Sequence, residues 1–509
     1  MVISLFVVLV IALVVSLALT PIACALARRY QLVDRPSTEL KLHETMVPLG
    51  GGVAVFLATL LAVTVVALLP GSAGASLQAS AADLASLALA SLIIVAVGLI
   101  DDRHSLRGRQ KLAGQLIAIS VFIITGLSIR EIEIFGLNID LGLLAVPFTV
   151  FWLLGAINAV NLLDGADGFA TTIGIVISAA LATMAAWQGQ LAASIVAIAL
   201  TGALVGFLVF NFPPARIYLG DAGSMLIGLV IGVLAIRSSL KGPATVALAA
   251  PLAVLTIPIL DSAGAVARRW FTGRSLYIGD RGHLHHTLQR RGLSPRALLV
   301  GISLLCAVTA IGALASVAMK NELCAVASAA TVVGALIISK VFGFSELVLV
   351  TQRALGFGTS LVASMRNDRG IREETVRLQG SRNWDELWSA LTDFAITHDL
   401  SLVRLDLNVA WLHEGYHAVR HRNEDEEATD RWLVHLPLLA NGRLLGRLEM
   451  AGHISNGVAH PLLALVAELL ESLQPCLDRL AEELPSGEKT NLDEIEVERE
   501  PQLPEGVAS

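Results

Sequence analysis

Between Asn158 and Ala170 the chain reads Asn-Ala-Val-Asn-Leu-Leu-Asp-Gly-Ala-Asp-Gly-Phe-Ala, with an apolar run from Leu141 to Ile157 before it and another from Thr171 after it. Two amides, Asn158 and Asn161, and two carboxylates, Asp164 and Asp167, therefore stand at the mouth of hydrophobic segments. An aspartate at the centre of a membrane helix costs about 2.5–3.5 kcal/mol, so a cluster of this kind marks a functional site by default.

Four more polar clusters interrupt apolar runs. Lys41-Leu-His43 precedes Pro48-Leu-Gly-Gly-Gly52, where glycines permit close backbone approach and the two side chains suit an anionic group; taken alone, Lys41 also reads as an ordinary charge flanking a span. Asp101-Asp102 is followed by Arg107, Arg109 and Lys111. Adjacent acids repel, which calls for a cation or a shared proton, and the basic residues suit phosphate; a solvated helix cap is the bland reading. Gly220-Asp221-Ala-Gly223-Ser224 puts an acid at the start of a helix, where exposed N–H groups favour phosphate and a carboxylate favours a bridging metal, against a plain N-cap. Finally, the segment from Asp261 to Arg296, expected to be a long loop, carries Arg268, Arg269 and Asp280-Arg-Gly-His283-Leu-His285-His286. No cysteine lies near enough to complete a structural zinc site, so a hard, oxygen-liganded ion fits the many carboxylates better. The histidines then hold phosphate oxygens beside the arginines by charge-assisted hydrogen bonds.

The elements that position these clusters are membrane spans. With 55% hydrophobic residues, 16% charged residues and a mean hydropathy of +0.70, the 509-residue chain is too apolar for a soluble protein of its size. Runs near 2–27, 49–69, 84–100, 112–127, 141–157, 171–187, 191–210, 222–236, 244–260, 298–318 and 323–342 predict an all-α polytopic membrane protein of about eleven transmembrane helices. The first run reads as a retained span, because no basic residue precedes it and it exceeds a signal-peptide core. Arginine and lysine concentrate in the odd loops, and so do all five clusters. The positive-inside rule makes those loops, and the C-terminus, cytoplasmic. Among the even loops, Arg130 to Asp140 alternates polar and apolar residues around Gly136 and predicts a small hairpin. The four cysteines are too scattered for a disulfide framework.

After Phe342 the composition becomes charged. The domain reading is a membrane domain over 1–342, a linker over 343–375, a soluble α/β domain over 376–480 and an acidic, disordered tail over 481–509. In the soluble domain strands are expected around 376–378, 401–409, 432–438 and up to 450, with a hairpin turn at Asn441-Gly442, and helices over 384–398 and 459–480. A sensory or dimerisation module of GAF-like type matches that pattern.

Together, Lys41-x-His43, Asp101-Asp102, Asn158-x-x-Asn161-x-x-Asp164-Gly-x-Asp167-Gly, Gly220-Asp221-x-Gly-Ser224 and His283-Leu-His285-His286 resemble the polyprenyl-phosphate N-acetylhexosamine-1-phosphate transferases. The resemblance covers about residues 1–342 and implies transfer of a HexNAc-1-phosphate from a UDP-sugar to undecaprenyl phosphate, with release of UMP and a need for Mg2+, Mn2+ being the alternative ion. It implies Asp221 and Asn158 at the metal, Asp101 as base with Asp102 in support, and Asp164 and Asp167 lining the nucleotide and metal site, Asp167 reading the uracil. Tyr218 would stack on the base, and Lys41, His43, Lys111, Asn158, Asn161, Arg268, His283, His285 and His286 would bind substrate. The interrupted histidine run looks like the GlcNAc branch rather than the phospho-MurNAc-pentapeptide branch. The implied setting is the bacterial inner membrane, with the site on its cytoplasmic face. Further expected partners are the lipid bilayer and a second copy of the chain in a homodimer, but not nucleic acid. A transporter is the rival of another class; it predicts polar groups distributed across the membrane, whereas here they collect on one face.

Overall fold

The computed structural model describes residues 2–34, 46–238, 245–271, 282–344, 347, 351, 371–379, 382–409, 414–422, 431–440, 443–453 and 460–482. They fall into two compact units, Met1–Leu347 and Val348–Ser509.

The first unit is a helix bundle. Its elements run α1 (Val2–Arg29), β1 (Val33–Asp34), β2 (Val47–Pro48), α2 (Gly51–Leu68), α3 (Ser72–Ala79), α4 (Ala81–His104), α5 (Gly108–Ile124), β3 (Glu131–Ile134), β4 (Leu137–Asp140), α6 (Ala145–Leu163), α7 (Phe169–Trp187), α8 (Leu191–Asn211), α9 (Gly220–Arg237), β5 (Thr245–Ala247), α10 (Ala249–Val254), α11 (Thr256–Phe271), α12 (Leu284–Arg290), α13 (Pro295–Met319) and α14 (Leu323–Ile338). Among the described residues eight helices are long and apolar enough to cross a membrane: α1, α2, α4, α6 with its lead-in from Gly142, α7, α8, α9 and α13. This is a multi-pass membrane protein.

The three other expected spans look different. α5 has 17 residues and α14 has 16. The run 244–260 is not one helix: it is divided into β5, α10 and α11. Pro258 has no N–H to offer the Val254 carbonyl and its ring crowds that position, so the helix stops at Val254 and restarts. The expected loop from Asp261 is likewise helical as far as Phe271.

α9 is the axis of the bundle. All its residues except Asp221 and Arg237 are buried, as suits a helix that is apolar on every side. Its neighbours touch it through glycine. A β-carbon at Gly52 of α2 would lie 2.3 Å from the Gly223 nitrogen, and one at Gly98 of α4 would lie 2.3 Å from the Ala222 Cα. Small residues at such crossings let backbones meet where a larger side chain would hold them apart.

The predicted hairpin exists, with Glu131 paired to Asp140, and β5 joins it in parallel through Glu131 and Thr245. At this end of the bundle Arg237 pairs with Asp83 at 2.6 Å and Glu322 accepts the Phe135 N–H at 2.7 Å. These residues all come from the expected even loops or the helix ends beside them.

The second unit contains β6 (Ile371–Gln379), α15 (Asp385–Thr397), β7 (Leu402–Val409), β8 (Glu414–Arg422), β9 (Arg431–Ala440), β10 (Arg443–His453) and α16 (His460–Glu482). The strands form one antiparallel sheet in the order β6-β8-β7-β10-β9. Its core includes Trp384, Trp388, Leu405, Tyr416, Met450 and Leu473. β8 was not expected, because Glu414-Gly-Tyr-His-Ala-Val-Arg-His-Arg reads as charged loop. In place, Glu414 is buried and accepts from the Trp384 indole at 3.0 Å. The Asn441-Gly442 turn lies outside the described residues.

Candidate active site

The site is built on the N-terminus of α9, at the end of the bundle opposite the β3–β4–β5 sheet. The first turn of a helix leaves backbone N–H groups without partners. Here Asp102, from the last turn of α4, accepts from Asp221 N at 2.8 Å and from Ala222 N at 3.4 Å. Gly220 makes this approach feasible: its φ is +73°, and a β-carbon there would lie 2.6 Å from Asp102 Oδ2.

Asp101 reaches the same place through Lys111. It is buried, accepts the Leu106 N–H at 2.7 Å, and forms an ion pair with Lys111 Nζ at 2.8 Å. Lys111 is also 2.8 Å from Asp221 Oδ1. One ammonium thus sits between two carboxylates drawn from α4 and α9, which are separated by 120 residues of sequence.

α6 supplies the amides. Asn161 donates to Asp221 Oδ1 and, at 2.9 Å, to Ser224 Oγ. Asn158, one turn deeper, exchanges hydrogen bonds of 3.0 and 3.3 Å with Gln115 and donates to the Leu154 carbonyl at 2.8 Å. The amide brought to Asp221 is therefore Asn161, while Asn158 is engaged with α5. Just past α6, burial and the negative charges of Asp221 and Asp102 push the Asp164 carboxyl well above the usual range. Asp164 thus joins the carboxylate group electrostatically.

Asp167 accepts the Ala215 N–H at 2.9 Å, which ties the 164–168 turn to the segment leading into α9. That segment also holds Tyr218, whose N–H donates to the Pro48 carbonyl at 2.8 Å and whose carbonyl accepts from Gly51 at 3.0 Å. Burial, followed by Asp167, Asp34 and Asp164, pushes its phenol up to about 12. Asp167 and Tyr218 are brought together at the edge of the carboxylate group.

The histidines come from α12 and the residue before it. His285 lies against the 164–168 turn: a β-carbon on Gly165 would be 2.6 Å from its Nε2. It is buried, and burial together with His286 and His283 pushes its pKa down to about 2. Its ring centroid is 4.1 Å from that of His286, 5.4 Å from that of Phe169 and 5.9 Å from that of His283. Arg268 is buried on α11, with its guanidinium packed against Gly282 and 5.7 Å from the Phe342 ring. Lys41 and His43 lie outside the described residues.

Two participants escaped sequence reasoning. Gln115 sits in an apolar helix with only its type to mark it, and Asp261 stands alone, 22 positions before His283, whose Nδ1 is 2.6 Å from its carboxylate.

Among the described residues no three carboxylate, imidazole or thiolate groups are spaced to hold one metal ion. The donor set nonetheless suits Mg2+, which takes one or two carboxylates and keeps its remaining positions for water and substrate phosphate. Asp101 and Asp221 already hold a cation between them in the form of Lys111.

Residues 84–239, which span this carboxylate cluster, match the family model described as glycosyl transferase family 4. The chain is 30% identical over 307 residues to a probable undecaprenyl-phosphate N-acetylglucosaminyl 1-phosphate transferase of Bacillus subtilis, covering 60% of this chain and 83% of that protein. It is 31% identical over 354 residues to a decaprenyl-phosphate N-acetylglucosaminephosphotransferase of Mycobacterium tuberculosis, covering 64% and 84%. A phospho-N-acetylmuramoyl-pentapeptide-transferase of Shouchella clausii is 37% identical over a shorter 205 residues, covering 38% of this chain and 62% of that protein. With relatives of 30% identity and more matched over most of their length, and with the described motif residues gathered at one end of one bundle, the chain belongs to glycosyl transferase family 4.

Proposed function

We propose that the protein transfers a HexNAc-1-phosphate, GlcNAc-1-phosphate in particular, from a UDP-sugar to undecaprenyl phosphate and releases UMP, starting a lipid-linked glycan. The observation that carries this is the Lys111 bridge between Asp101 and Asp221 at the mouth of the bundle, where a membrane-held phosphate and a soluble nucleotide can meet. Phosphoryl transfer between two polyanions needs mainly charge neutralisation and alignment. GlcNAc is favoured over phospho-MurNAc-pentapeptide by the interrupted run His283-Leu-His285-His286 and by the longer matches to GlcNAc enzymes.

In this reading a lipid-phosphate oxygen forms a bond to the sugar-bearing phosphorus as the bond from that phosphorus to the UMP oxygen breaks. Asp101 takes up any proton remaining on the lipid phosphate. Lys111 turns from its carboxylates to the incoming phosphates. Asp102 holds the first turn of α9, and so Asp221, in place. Asp221 would hold Mg2+, or Mn2+, which supplies charge neutralisation to the diphosphate. Tyr218 and Asp167 face the uridine, while Arg268 and the histidines face the phosphates. The basic odd loops favour the cytoplasmic side of a bacterial inner membrane for this end of the bundle. The three interrupted or short segments, α5, α10 with α11, and α14, complete eleven crossings in this reading.

The test is purified full-length protein with undecaprenyl phosphate, Mg2+ and a panel of UDP-HexNAc donors. UMP release and a lipid-linked sugar from UDP-GlcNAc are expected. Full retention of every donor as UDP-sugar would sink the proposal.

A further inference from the structure

Asp261 is a buried acid, 1% exposed, to which the transfer chemistry above gives no task. Both of its oxygens are committed to consecutive residues far along the chain. Oδ2 lies 2.6 Å from His283 Nδ1, and Oδ1 accepts the Leu284 N–H at 2.6 Å. A buried carboxylate needs partners, and backbone N–H groups alone would serve. Here one partner is an imidazole, and the second bond fixes the backbone that carries it, so the ring is held at both its base and its edge.

With Nδ1 donating to the carboxylate, Nε2 is the nitrogen left to meet a ligand. The orientation propagates along a row of rings: His283 stands within 12° of parallel to His285, and His285 rests on Gly165 of the 164–168 turn. α11 contributes a second residue to the same place, since Arg268, two turns after Asp261 and on the same face, packs on Gly282 immediately before His283. One rigid helix thus sets both a guanidinium and an imidazole at the start of the segment that lays His285 on the 164–168 turn.

We infer that Asp261 is a positioning residue that fixes the tautomer and direction of His283, so that Nε2 meets a phosphate oxygen of the nucleotide-sugar; this rests on the transferase reading above. Partners of this outer kind typically change binding or activity by about 10–100-fold when removed.

The test is a double-mutant cycle in the full-length chain: Asp261→Asn, His283→Gln and the pair, with kcat, KM for UDP-GlcNAc and the thermal unfolding midpoint measured for each. Asp261→Asn is expected to lower kcat/KM by at least about tenfold, and the double variant to be no worse than His283→Gln alone. Asp261→Glu, which keeps the charge but displaces it, repeats the cycle should the asparagine variant fail to fold. Losses that multiply in the double variant would show a role not exercised through His283 and would overturn the inference, as would wild-type kinetics in Asp261→Asn. A wild-type chain that releases no UMP from any donor overturns the transferase reading and this inference with it.

Discussion

Replacing Gly98 with alanine is the most informative single perturbation of the site, because it adds one methyl group and touches no charge. The new β-carbon would lie 2.3 Å from the Ala222 Cα and 2.7 Å from the Asp221 carbonyl carbon, both backbone atoms that cannot swing aside. Restoring ordinary contact requires α4 and α9 to part by about 1 Å, and overpacking of this kind costs about 1–3 kcal/mol. The same separation stretches the 2.8 Å bond from Asp221 N to Asp102 beyond hydrogen-bonding length, and loss of a helix cap costs about 1 kcal/mol more. Alanine's better helix propensity returns up to about 1 kcal/mol. The net destabilisation is then about 1–3 kcal/mol, while a 1 Å displacement of catalytic groups is expected to lower turnover by about 100-fold. UMP release and thermal unfolding of the purified variant measure the two effects. Gly155→Ala, inside α6 with nothing within 4 Å of its new β-carbon, is the control: it should match the wild type in turnover and unfold no earlier, since helix propensity alone adds up to about 1 kcal/mol. Turnover within about twofold of wild type in Gly98→Ala would refute the claim that this glycine contact sets the geometry of the acids.

Other expectations follow from the same geometry. Asp221→Asn should fold normally and lose turnover by about 100-fold or more, with a weakened response to Mg2+ titration; unaltered metal dependence would remove Asp221 from the metal. His285, held near pKa 2, stays neutral in the fold, whereas the unfolded chain protonates it below about 6.5. Its contribution is therefore fully present above that pH and declines as pH falls, by about 1.4 kcal/mol at pH 5.5. The thermal midpoint should drop between pH 7.5 and 5.5, and drop less in His285→Phe; equal drops would contradict this. Truncation after Leu347 should leave turnover within a few-fold of wild type in a folded membrane unit, because all the polar clusters lie before that point; abolished activity would bring the C-terminal unit into the chemistry.

The carboxylates were legible in the sequence because acids beside apolar runs have few bland explanations, and Asp101, Asp102, Asp164 and Asp221 do converge. Their division of labour was not legible. Asn158 and Asn161 are the same residue type on one helix, and only packing decides that Asn161 meets Asp221 while Asn158 meets Gln115. Asp261 is not legible either, since a lone acid after Pro258 carries no signal that its partner lies 22 residues ahead. In the second unit β8 is hidden in the sequence because Glu414, His417 and Arg420 are polar residues whose burial depends on neighbouring strands. The unbroken span expected over 244–260 failed because composition outweighed the local effect of Pro258.

The burial of α9 has a consequence for how the protein is made. Its best window has a mean hydropathy of 1.6, the lowest of the eight spanning helices and half the 3.2 of α1. Glycines, an acid and a serine make it a poor candidate for release into lipid by itself. The helices that receive it, α2, α4 and α6, all precede it in the chain. Synthesis from the N-terminus therefore delivers the receptacle before the plug, and α9 can leave the insertion machinery directly into a waiting protein surface. Moving it earlier by circular permutation should impair insertion even where every final contact is preserved.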